Sequence, residues 1–142
     1  MIARTNGQHS MPITFGFKIS EWAELILRLE ERFSEIEKRL FILIFGGAVG
    51  AMHSFKGKKG PIYNNLCKRL KLNKVIVPSR SLVDNISEYI LLCSHSGSIV
   101  KKIATELSFH MREEIKEVYE NQDKKIIGSS TMPQKINPKY VY

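Results

Sequence analysis

Apolar residues along the chain fall into two long stripes. From about residue 19 to residue 45 they recur at Trp22, Ile26, Leu29, Phe33, Ile36, Leu40 and Leu43, in steps that alternate four and three. That spacing is the seam of a long helix packed at a shallow angle against other helices. Glu30, Glu31, Glu35, Glu37, Lys38 and Arg39 take its remaining faces. The second stripe lies between Leu82 and about Asn121, through Ile86, Ile90, Cys93, Gly97, Val100, Ala104, Leu107 and Met111. Glu114 breaks it, and Ile115 and Val118 continue on a shifted stripe. Gly97 and Ala104 on this seam let a neighbouring helix approach closely.

Between the stripes, the glycines from Gly46 to Gly50 interrupt or closely pack the first helix. Ser54 to Gly60 reads as a loop, Pro61 opens a shorter helix through about Leu70, and Val75 to Pro78 reads as extended. No period-2 segment of useful length is present. The expected fold class is therefore all-α, a long-helix bundle. Its seams want more cover than one short helix in a 142-residue chain supplies, which predicts a homo-oligomer with a helical core, most simply a tetramer.

A hydrophobic content of 43% at this length suits one domain. The longest apolar run, Leu40 to Met52, carries three glycines and is too short to span a bilayer, so no membrane partner is expected. After Met1, Ile2 and Ala3 the chain is polar through Ser10 rather than continuing as the apolar stretch of a signal peptide. Cys67 and Cys93 sit in apparent helices and suggest no disulfide framework, which makes the reducing cytoplasm the default location.

The formal net charge of +8 admits several uses. Lys56, Lys58 and Lys59 cluster on a glycine-rich stretch, as a nucleic-acid contact would require. Only Phe55 is interleaved for base stacking, however, and no recognition motif is present, so nucleic acid is not an expected partner. A positive field would equally match acidic partner regions. Gly50 to Lys56 lacks the glycine before lysine that a phosphate-binding loop needs. Cys93 and His95 have no second ligand pair at a zinc-like spacing, and His53, His95 and His110 are isolated; no metal site is expected.

The most informative run is Gly128-Ser129-Ser130-Thr131-Met132-Pro133-Gln134-Lys135-Ile136-Asn137-Pro138. Its first half is small, polar and permissive, able to present backbone N–H groups and hydroxyls. Its second half is stiffened by two prolines that flank a cation and an amide. Such a loop can pin Lys135 and Asn137 and leave serines to close over a carboxylate or an oxyanion; a polar interhelical loop would have the same composition.

This run resembles the signature loop of the fumarase/aspartase superfamily: Gly-Ser, two residues, Met, two residues, Lys, one residue, Asn. Every specified position matches. A second segment, Arg4-Thr5-Asn6-Gly7-Gln8 with Pro12 downstream, is similar to the family's Arg-Thr-His-x-Gln segment in its adenylosuccinate lyase and cycloisomerase branches. The spacing of the two motifs, with Gly46 to Gly50 between them, also fits. The resemblance covers essentially the whole chain, yet the family is built from much longer chains. It implies a fragment of the central helical domain of the fumarase/aspartase fold, spanning residues 1–142, with the family's N-terminal and C-terminal regions absent.

What the resemblance implies for chemistry is a lyase. It removes a proton beside a carboxylate, eliminates a C–N or C–O bond and releases fumarate, with no cofactor. By family position Ser129 is the general base, Lys135 the cation facing the developing charge and Asn137 a hydrogen-bond donor. Thr5, Asn6, Gln8, Ser130 and Met132 are implied substrate-binding positions. The residues themselves do not separate Ser129 from Ser130. The partner is a carboxylate-bearing small molecule, and each site of the homotetramer combines segments of three subunits. The family's third active-site segment lies in the absent N-terminal region, so the isolated chain is expected to be inactive. One departure stands out: the family's proton-donating histidine falls at Asn6, which cannot deliver a proton near neutral pH. A carboxymuconate cycloisomerase-like enzyme and a non-catalytic helical assembly fragment are the alternatives.

Overall fold

A computed structural model of the chain describes residues 1–121, 129–132, 134, 135, 137–139 and 141. Gly128, Pro133 and Ile136 of the signature loop lie outside the described residues. The chain opens with a β-hairpin that corrects the expectation of no strands. β1 (Ile2–Thr5) pairs antiparallel with β2 (Gln8–Pro12), with Thr5 opposite Gln8 and Arg4 opposite His9. Asn6 (φ 52°) and Gly7 (φ 75°) form a two-residue loop with positive φ at both positions, the type I′ pattern for which Asn-Gly is the strongest short-range signal. Alternation could not reveal these strands, because β2 is exposed along its whole length and so has no buried face to mark.

Helix α1 (Phe15–Leu40) follows at once. The Thr14 hydroxyl caps it by accepting the Phe17 N–H at 3.0 Å. Lys38 and Arg39 in its last turn suit the negative end of the helix dipole. The helix stops at Leu40, short of the expected Phe45. There the backbone turns extended and pairs with Asn73, whose N–H reaches the Phe41 carbonyl while its own carbonyl takes the Leu43 N–H. Helix α2 (Lys59–Leu70) begins close to the expected Pro61, and α3 (Asp84–His110) ends eleven residues before Asn121.

The chain divides into two units, Leu27–Ser96 and Met1–Ile26 with Gly97–Tyr142. In the Leu27–Ser96 unit, Leu43, Met52, Tyr63 and Cys67 form a buried cluster. The Tyr63 hydroxyl donates to the Leu43 carbonyl at 2.7 Å and accepts the Val75 N–H at 3.1 Å. Gly46 is irreplaceable on steric grounds, since a Cβ there would lie 2.2 Å from the Pro78 carbonyl oxygen. The second half of α1 buries Ile36 and meets α3 in this unit through an edge-to-face contact of Phe33 with Tyr89 and the pair Arg39–Glu88. That guanidinium holds the Glu88 carboxyl below the usual carboxylate range.

In the other unit, Trp22 and Ile99 are buried. The Trp22 indole N–H donates to Glu106 at 2.8 Å, and Lys18 pairs with the same carboxylate. Burial pushes the Glu106 carboxyl up, but the hydrogen bonds from Lys18 and Trp22 outweigh it and leave the pKa lowered.

The first stripe holds, with Trp22, Ile36 and Leu43 buried, although Ile26 faces outward. The second is displaced. α3 buries Asn85, Ile99 and His110 and half-buries Leu92, Ser96 and Ile103, one position away from the expected line. Ile90 and Val100 on the expected line are 57% and 64% exposed. Cys67 is buried and Cys93 exposed, both as free thiols. Among the described residues, no helix is long and apolar enough to cross a membrane.

Candidate functional site

The signature loop organises around one hydroxyl. Ser129 Oγ accepts the backbone N–H groups of Thr131 and Met132 at 3.4 and 3.2 Å. The Ser130 hydroxyl meets only the Thr131 hydroxyl, at 3.4 Å, among its described contacts. The Lys135 N–H then closes a turn on the Met132 carbonyl at 3.0 Å. Ser129 and Asn137 are half-buried, while Ser130, Met132 and Lys135 are exposed. Lys135 lines a cleft of about 580 Å³ together with Met111, Val118, Tyr119, Lys116 and Glu120.

The hairpin presents the other group. Thr5 and Gln8 are cross-strand partners beside the turn and share one face of the ribbon. Arg4 and His9 form the adjacent pair and so use the opposite face. Asn6 stands at the exposed tip. None of Thr5, Asn6 and Gln8 lines the cleft beside Lys135. The described residues of one chain thus carry both sets of expected site residues without closing them around one cavity.

Three residues that sequence reasoning did not select tie the hairpin down. Arg4 makes a two-pronged contact with Glu117 at 2.8 and 3.2 Å, and His110 Nδ1 donates to the same carboxylate at 2.9 Å. His110 is 5% exposed, and Arg4 also lies over the Phe109 ring. The hydrogen bonds from Arg4 outweigh desolvation and, helped by His110, bring the Glu117 carboxyl down to about 2. Past α3 the chain folds back so that the Glu117 and Val118 N–H groups reach the His110 carbonyl. Arg4 and Glu117 are 113 positions apart, so no local pattern could have joined them. No group of three or more His, Cys, Asp or Glu side chains able to hold a metal ion occurs among the described residues.

Residues 1–141 match the sequence profile of a family described as lyase. The chain belongs to this lyase family of the fumarase/aspartase superfamily. Among the family's curated members, N-acetyl-S-(2-succino)cysteine lyase of Enterococcus italicus is 38% identical over 97% of the chain and 30% of its own length. Adenylosuccinate lyase of Methanothermobacter thermautotrophicus is 36% identical over 96% of the chain and 31% of its own length. The crystal structure of 3-carboxy-cis,cis-muconate lactonizing enzyme from Pseudomonas putida superposes with a TM-score of 0.82 at 30% identity, over 96% of this chain and 29% of that one. The helical architecture is that of the family. The chain spans about 30% of the length of the curated relatives it matches.

Proposed function

We propose that this chain is the central helical part of a lyase that eliminates a group from the carbon next to a carboxylate-bearing carbon and releases fumarate. The observation that carries this reading is the signature loop, with two backbone N–H groups converging on Ser129 Oγ. Donors aimed at that oxygen stabilise its deprotonated form, which a serine base requires. They favour Ser129 over Ser130 as the group that takes the proton. Lys135 supplies the cation for the aci-carboxylate that develops, and Asn137 a further donor. Thr5 and Gln8 present hydroxyl and amide groups to a substrate carboxylate from the hairpin.

The relatives named above suggest amine or thiol leaving groups, the latter adding a C–S bond to the C–N and C–O classes considered from sequence. A second reading, a carboxymuconate cycloisomerase-like reaction, is favoured by Asn6. Its side chain offers no titratable proton at the family's histidine position, and the superposition on the lactonizing enzyme is close. In either case the outward Ile90 and Val100 of α3 fit a homo-oligomer, a tetramer by family resemblance, in which neighbouring subunits complete the cleft beside Lys135.

The test uses the chain within a protein of family length. Lys135→Ala is expected to weaken dicarboxylate binding and turnover at least tenfold more than Lys58→Ala, which removes a solvated cation. Equal effects would show the loop to be structural only.

A further inference from the structure

The chain's positive charge is not spread along it. Residues 41–83 hold eight Lys and Arg and no Asp or Glu, while the rest of the chain carries fourteen of each sign. The whole net charge of +8 therefore resides in α2 and the segments flanking it. All eight cations are exposed. None forms an ion pair among the described residues; Lys59 reaches only the Ala51 carbonyl, at 2.8 Å.

Helix electrostatics accounts for part of this. Lys68 and Arg69 in the last turn of α2 favour its C-terminus, and Lys71 follows them. Lys58 and Lys59 stand at the N-terminus, where cations are disfavoured and where neither an acidic side chain nor a side-chain cap compensates. Fold stability does not ask for them.

The same stretch also exposes aliphatic side chains among the cations. Ile76 is 100% exposed, and Val77 and Leu70 lie open beside Lys74 and Lys71. Of its rings, Tyr63 is buried and Phe45 packs on Phe55 with centroids 5.7 Å apart, while Phe41 is exposed. The apolar side of α2, with Tyr63 and Cys67, is turned into the core, leaving no amphipathic face to lie in a lipid surface.

We infer that residues 41–83 form a docking surface for an acidic polypeptide segment that carries aliphatic side chains, with Lys56, Lys58, Lys68 and Arg69 meeting its carboxylates and Ile76 its apolar residues. Charge complementarity without internal competition selects an acidic partner. The exposed aliphatics select a polypeptide over a nucleic acid, whose phosphate backbone has no use for them.

The experiment measures fluorescence anisotropy of a labelled peptide of about twenty residues, mostly Glu with interspersed Leu, at salt low enough to leave charges unscreened. The chain is expected to bind it, and the quadruple variant Lys56→Gln, Lys58→Gln, Lys68→Gln, Arg69→Gln to lose binding at least tenfold. Ile76→Ser, which touches nothing in the fold, is expected to weaken binding several-fold and keeps the test valid if the quadruple variant fails to fold. A single-stranded oligonucleotide and vesicles containing phosphatidylserine are measured alongside. Failure to bind the peptide, tighter binding of either competitor, or an unchanged affinity in Ile76→Ser would overturn the inference.

Discussion

Replacing Tyr63 with phenylalanine removes one oxygen and leaves the ring where it packs. That oxygen joins the segment after α1 to the segment after α2, donating to the Leu43 carbonyl at 2.7 Å and accepting the Val75 N–H at 3.1 Å. Leu43 belongs to the buried cluster, so its carbonyl loses a partner where water does not reach, at a cost of about 1–3 kcal/mol. Val75 is half-buried, and water can replace the hydroxyl there, so its loss is nearer the ordinary net value of about 1 kcal/mol. The sum, about 2–4 kcal/mol, is a large share of the roughly 5–15 kcal/mol by which a domain is stable. Ring burial is unchanged, so no cavity contribution enters. Urea unfolding followed by circular dichroism is expected to show a lower midpoint with an unchanged slope, because the surface exposed on unfolding is the same. The matching fall in Tm is of order 10 °C. A loss below about 0.5 kcal/mol would refute the reasoning, since it would place water within reach of the Leu43 carbonyl.

Glu117 gives a pH prediction. Its folded-state pKa of about 2 lies below the ordinary 4.5, so its contribution is complete above the ordinary value and is lost as pH falls from there toward 2. Tm measured across that window is expected to fall less in Glu117→Gln than in the parent, the variant starting lower at neutral pH. Asn6→His, in a protein of family length, is expected to raise kcat for fumarate release with KM little changed, because a proton donor acts on the leaving group in the transition state. A fall in kcat would favour the cycloisomerase-like reading.

The helical fold was legible where burial is one-sided. The α1 stripe from Trp22 to Leu40 identified the packed face because the faces around it carry charges that do not compete for the core. On α3 the most apolar line is not the line packed within the chain. His110 takes a buried position with Glu117 as its partner, and Asn85 takes one with Nδ2 donating to the Leu40 carbonyl, although its Oδ1 has no partner among the described residues. Periodicity counts apolar residues and cannot register such pairs, so it placed the seam one residue away. The hairpin was missed for a different reason. Its signal is the Asn6-Gly7 turn, not alternation: β2 is exposed along its whole length and β1 is half-buried from Ile2 to Arg4 without alternating. Of the candidate site, the loop from Ser129 to Asn137 and the pair Thr5 and Gln8 were readable as residue types at fixed spacing. The clamp of Arg4, Glu117 and His110 exists only through chain folding.

Turnover by Ser129→Ala and Ser130→Ala, compared in one protein of family length, tests the central claim most directly. The Thr131 and Met132 N–H groups are aimed at the first oxygen and not at the second. Loss of a positioned base is expected to lower kcat by about 10²–10⁴-fold in Ser129→Ala, while Ser130→Ala stays within about tenfold of the parent. A larger loss in Ser130→Ala, or an unaltered kcat in Ser129→Ala, would contradict the account.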